Sequence, residues 1–164
     1  MKTLVAYVSQ TGNTRKVAEA IYGEVTGDKA LSELSELDDL EGFDLCFFGF
    51  PIIAFGPNVD AREFLEANCS GKRIALFITH AAPEDQEDVA EWLDKCRGAA
   101  EGAELMGVFD CQGELSEEIA AFLLKSDDAR MRSFGERRGE TLGQPDESRL
   151  ERARSFAREI IERF

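Results

Sequence analysis

Apolar residues along this chain follow two alternating rhythms. Short, nearly unbroken apolar runs lie at residues 3–8, 30–34, 45–49, 73–78 and 104–110. Between them the apolar positions recur three and four residues apart. Val17, Ala18, Ile21 and Val25 follow the first run, Val59, Phe64 and Leu65 the third, and Val89, Trp92, Leu93 and Cys96 the fourth. Leu150, Ala153, Ala157, Ile160, Ile161 and Phe164 close the chain in the same rhythm. An apolar run without polar alternation is a strand buried on both faces, and a period near 3.6 is an amphipathic helix. Strands alternating with such helices build βαβ units around a parallel sheet. Five strands in about 110 residues predict a three-layer, doubly wound α/β fold, with residues 1–164 as one domain.

One stretch exceeds that scheme. Residues 111–145 separate the fifth strand from the last helix. Leu115, Ile119, Phe122 and Leu123 have helical spacing, while residues 125–140 are polar and hold Arg130, Arg132, Arg137 and Arg138. A structureless loop of this length is uncommon in a compact domain, so one or two helices are predicted there. Because the segment follows a parallel strand, it leaves from the carboxyl edge of the sheet, where folds of this class bind ligands.

Composition narrows the partners. The 164 residues include 33 acidic and 19 basic side chains, a net charge of −14. Such a chain is repelled by phosphate backbones, which argues against nucleic acid and anionic membranes and for basic protein partners. The surplus is uneven: residues 1–120 hold 24 acidic and nine basic side chains, residues 121–164 nine and ten. Four widely spaced cysteines and one histidine offer no zinc or iron–sulfur pattern. Cys46 and Cys96 sit inside apolar patterns and read as core thiols, and Cys111 has no visible base to activate it. The apolar start is too short for a signal peptide, and no run approaches the roughly 18 residues of a membrane span. A reduced, cytoplasmic protein is the expectation.

The densest chemistry lies where the first strand ends. Ser9, Gln10, Thr11, Gly12, Asn13 and Thr14 form a strand–loop–helix turn, with the helix beginning at about Thr14. Backbone N–H groups of residues 10–15 would converge there with the positive end of the helix dipole, and Ser9, Thr11 and Thr14 add hydroxyl donors. Gly12 permits positive φ or close approach of a ligand. Capping a helix needs one such residue; this loop offers five polar side chains, which points to a phosphate monoester. GxGxxG and GxxxxGK[ST] are absent, which excludes the dinucleotide fingerprint and the P-loop.

The loop at residues 9–14 resembles the FMN phosphate loop of the flavodoxin family. Pro51, Ile52, Ile53, Ala54, Phe55 and Gly56 are similar to the family's first flavin-flanking loop, and Thr79, His80 and Ala81 to its second. The resemblance implies a parallel sheet of order 2-1-3-4-5, FMN at the switch point, and a monomeric carrier of single electrons between a reductase and an acceptor enzyme. The insertion at 111–145 would lie beside the flavin, its arginines orienting a redox partner. The family's usual aromatic pair is missing: its Trp position falls on Ile53, Glu84 lies near its Tyr position, and Phe55 is the ring left to contribute. Trp92 has the spacing of a core residue that does not reach the flavin. His80 reads either as a loop residue bonded to backbone or as a neighbour of the ring that would stabilise negative charge on reduced flavin. An open flavin face and the insertion leave an alternative: an FMN-dependent NAD(P)H oxidoreductase acting directly on a small molecule.

Overall fold

The computed structural model describes residues 1–164. Its strands are β1 (Lys2–Tyr7), β2 (Asp28–Glu33), β3 (Leu45–Ile53), β4 (Gly56–Pro57), β5 (Arg73–His80) and β6 (Glu104–Gln112). Its helices are α1 (Asn13–Glu24), α2 (Val59–Asn68), α3 (Glu87–Gly98), α4 (Glu117–Leu124), α5 (Ala129–Glu136) and α6 (Glu147–Glu162). The five long strands are parallel, in the order β2-β1-β3-β5-β6, and the two-residue β4 folds back antiparallel on the end of β3. This is the expected 2-1-3-4-5 order with a short hairpin strand added. β3, β5 and β6 run past the predicted runs because their carboxyl ends are still paired, Pro51 with Thr79 and His80 with Gln112.

Alternation along the strands divides the core between two faces. Leu4, Phe48, Phe50, Leu76 and Ile78 pack on the side that holds Leu65 of α2 and Cys96 of α3. Val5, Phe47 and Phe77 pack on the side of α1 and α6, against Val17, Ile21, Ala157 and Ile160. Phe47 and Phe48 are both fully buried, one on each face. Gly49 leaves room for this packing: a Cβ there would lie 1.9 Å from the Phe77 ring. Cys46, Cys96 and Cys111 are buried, and burial pushes each thiol up to about 12. For Cys111 the carboxylates of Glu84 and Asp110 act in the same direction, so it is an inert thiol.

The insertion is helical. Ser116 and Asp128 cap α4 and α5 through the N–H groups of Ile119 and Arg130. A 3-10 turn (Arg138–Thr141) then leads toward α6. Leu115, expected inside the first of these helices, precedes it and packs with Ala120 and Leu123. No helix is long and apolar enough to cross a membrane.

Candidate functional site

A cavity of about 450 Å³ opens at the carboxyl edge of β1, β3 and β5. Its polar end is the loop after β1. Ser9 Oγ accepts from the N–H groups of Gly12 and Arg15, at 3.0 and 3.4 Å, so the hydroxyl keeps its own proton to donate. Gly12 has φ of +95°, which a residue with a side chain rarely adopts, and it starts α1 without a side-chain cap. The first N–H groups of a helix have no partner within it, and here they stand beside the cavity-lining Ser9, Gln10, Thr11, Asn13 and Thr14. Positive helix-end charge and hydroxyl donors suit an anion there, with Ser9 Oγ taking only the Arg15 N–H of the first turn, at a long 3.4 Å.

Thr14 is 1% exposed and lines the cavity; its hydroxyl shares a hydrogen bond of 2.8 Å with that of Thr79 on β5, which ties α1 to the sheet. Asn13 donates from Nδ2 to the Glu114 carbonyl at 2.8 Å, binding the loop to the insertion.

The second wall is the end of β3 with its hairpin. Pro51, Ile52, Ile53, Ala54 and Phe55 line the cavity. Ala54 and Phe55 have φ of +48° and +64°, the two-residue turn that joins β3 tightly to β4. Left-handed φ costs a non-glycine residue roughly 1–2 kcal/mol. Packing offsets it: the Phe55 ring lies 5.3 Å from Trp92 and 6.2 Å from Phe134, with the Arg130 guanidinium 4.5 Å from its centroid. Gly56 pairs with Ile53 across the hairpin. Gly12 and Gly56 shape the backbone and do not themselves line the cavity.

The third wall is the end of β5. Thr79, His80 and Ala81 line it. His80 is neither a loop residue nor bonded to backbone: it ends the strand, 5% exposed, with Nε2 2.9 Å from Asp110 Oδ2. Its Nδ1 is sealed from solvent and has no hydrogen-bond partner. Glu84, near the position the family gives to Tyr, turns away to α6. It accepts from Arg149 Nε and Nη2, both at 2.8 Å, and from Arg152 at 3.2 Å. Burial works to raise the Glu84 carboxyl, but the Arg149 bonds hold it below its ordinary value.

The roof comes from the insertion, which sequence reasoning placed beside the site but not in it. Gly113, Glu114, Leu115, Ser116, Ile119, Phe122, Leu123, Met131 and Phe134 all line the cavity. Phe122 is 72% exposed at the mouth. Trp92, expected to remain in the core, is buried with Ala82 and Val89 and also faces the cavity, because α5 docks Phe134 6.1 Å from it and makes both rings one wall. Helical spacing in the insertion was the available signal for Ile119, Phe122 and Leu123. Two of the four insertion arginines hold this roof in place. Arg138 donates to the Leu115 carbonyl at 3.0 Å, and Arg132 to the Ser126 carbonyl at 2.8 Å.

A switch-point cavity with a hydroxyl-rich helix start at one end can be compared with known proteins. The family model described as Flavodoxin domain matches residues 4–158. The chain belongs to the flavodoxin family. It is 32% identical to the flavodoxin-like domain-containing protein BilS of Clostridioides difficile, over 98% of this chain and 97% of that one. Among solved structures, oxidised flavodoxin 2 from Bacillus cereus superposes with a TM-score of 0.63 at 21% identity, covering 100% of both chains. A Lactobacillus acidophilus flavoprotein in complex with FMN gives 0.55 at 22% identity, covering 66% of this chain and 92% of that one. In this flavodoxin-family chain the roof of the cavity is the 113–116 loop together with the helical pair α4 and α5.

Proposed function

We propose that this flavodoxin-family protein binds one noncovalent FMN in the cavity and carries single electrons between a reductase and an acceptor enzyme. The observation that carries the reading is the pairing of the α1 start, where Ser9 Oγ takes only the Arg15 N–H of the first turn and keeps its own proton, with an apolar body of the right class for a flat ring. FMN supplies the one-electron chemistry when bound. Ser9, Thr11 and the first N–H groups of α1 hold the terminal phosphate. Ile53 and the packed rings of Phe55, Trp92 and Phe134 would bound the ring on one side, and Phe122 and Met131 of the insertion would close over it. The apolar walls exclude water from it.

The test is a visible absorption spectrum of the purified protein, with titration of the apoprotein by FMN and by riboflavin. A flavin spectrum is expected, with FMN bound far more tightly than riboflavin. A further loss confined to FMN is expected in Ser9→Ala, which removes the free proton. Equal affinity for the two flavins overturns the phosphate assignment, and no flavin binding overturns the reading.

The roof favours a second reading, a direct FMN-dependent NAD(P)H oxidoreductase, because α4 and α5 enclose the apolar end of the cavity as a substrate pocket would be enclosed. Oxidation of NAD(P)H by the purified protein alone supports that reading, and its absence supports the carrier.

A further inference from the structure

We propose that the groove between α3 and α5 is a second binding site, for a small aromatic molecule that carries a carboxylate or another compact anion. The groove encloses about 280 Å³. Arg130 and Ser133 line it from α5 and Arg137 from the residue that ends that helix, at spacings of three and four along one side. Gln86, whose side chain does not cap α3, and Asp88 line it from the other side. Its floor is Phe55, Trp92 and Phe134, the same three rings that wall the main cavity. The groove and the cavity therefore lie on opposite sides of one aromatic layer.

The chemistry of the lining selects the ligand. Arg130 already lies over the Phe55 ring, so this layer accepts a flat cation against its face. Two guanidiniums and a hydroxyl present donors suited to a carboxylate, and one acidic side chain, Asp88, opposes them. The partners the arginines now hold are surface acids: Arg130 lies 3.5 Å from Asp128 and Arg137 2.9 Å from Glu140. The arginine side chains in these pairs are 70% and 44% exposed, so solvent screens the pairs and a ligand carboxylate can replace them at little cost. Arg132 and Arg138 differ, since both are spent on carbonyls within the insertion. An inorganic anion alone would leave the aromatic floor unused, and a neutral ring would leave the guanidiniums unused. Because Phe55 belongs to both sites, an occupant of the groove and an occupant of the cavity change each other's affinity by the same factor.

The experiment uses the full chain without FMN, so it stands whether or not FMN is the cavity ligand. The probes are 2-naphthoate and 2-naphthamide, and the readout is the indole N–H resonance of Trp92, the single tryptophan. A saturable shift with 2-naphthoate is expected. Binding should be roughly tenfold weaker for 2-naphthamide and for the Arg130→Gln/Arg137→Gln double variant. Arg62→Gln, a matched charge change on α2, should bind as the parent does. The proposal is overturned by the absence of a saturable shift, by equal affinity for the amide, or by full affinity in the double variant. Loss of the shift in Phe122→Ala, which lines the cavity and not the groove, would place the probe in the main cavity and overturn it as well.

Discussion

Gly113 is where the phosphate-loop side of the cavity and the insertion come closest. A Cβ there would stand 2.6 Å from Asn13 Nδ2, so Gly113→Ala must push that amide off the Glu114 carbonyl. The expected cost is about 1–3 kcal/mol, read from denaturant unfolding, with looser FMN binding because both sides of the cavity separate. Phe122 acts in the opposite sense. At 72% exposed it contributes little to the fold, so Phe122→Ala should keep its stability. It should lose about 0.5–1.5 kcal/mol of FMN affinity together with part of the fluorescence quenching. Unchanged affinity and quenching would mean that the insertion encloses the ring without touching it. The polar loop at residues 9–14 was legible from residue types alone. The sealing of Thr14 against Thr79 was not, because those residues are 65 positions apart and meet only when α1 lies on β5.

At the scale of elements, the loop after β5 is fastened to the start of α6. Glu84 and Arg149 are each 21% exposed at the side chain and share two bonds, which makes this ion pair better shielded than most here. The depressed Glu84 value fixes the sign of its pH dependence. Its contribution is fully present above the ordinary carboxylate value of 4.5 and is lost as pH falls through the lower native value. Glu84→Gln should cost about 1–2 kcal/mol near neutral pH. The difference from the parent should vanish in acid, as followed by thermal unfolding at several pH values. A constant difference at all pH values would mean that the loss is one of packing. The insertion depends on a comparable fastening. Arg138→Glu removes the donor to Leu115 and places a carboxylate beside Glu114, so it should loosen the roof and weaken FMN binding. That outcome separates Arg138 from a residue that only meets a partner at the surface.

At the scale of the whole molecule, the net charge of −14 sets the field in which a partner approaches. A carrier that steers toward a basic partner should exchange electrons more slowly as salt rises, since screening shortens to about 8 Å at physiological ionic strength. Stopped-flow exchange with a basic redox protein over a salt series measures this, and a flat profile removes electrostatic steering from the account. The four insertion arginines occupy two kinds of place. Two hold the roof, and two line the groove behind the aromatic layer.

The sequence by itself determined a parallel sheet flanked by helices and a polar turn after the first strand, because strand burial, helical period and loop chemistry are local properties repeated along the chain; the strand order followed from the family resemblance. It also carried the family, through the loop at 9–14 and the two flanking loops. What only the tertiary structure decided is the body of the cavity. Trp92 has the pattern of a core residue and is one, yet α5 brings Phe134 against it and turns that piece of core into a wall. Phe122 and Met131 lie in a segment whose period predicts helices but says nothing of where they dock. Their docking rests on contacts between residues far apart in the chain, Asn13 to Glu114, Gly113 to His80 and the Phe134 ring against Phe55 and Trp92, which leave no periodic trace in the chain. The His80–Asp110 pair was hidden for the same reason, since its partners lie on neighbouring strands and meet only through sheet register.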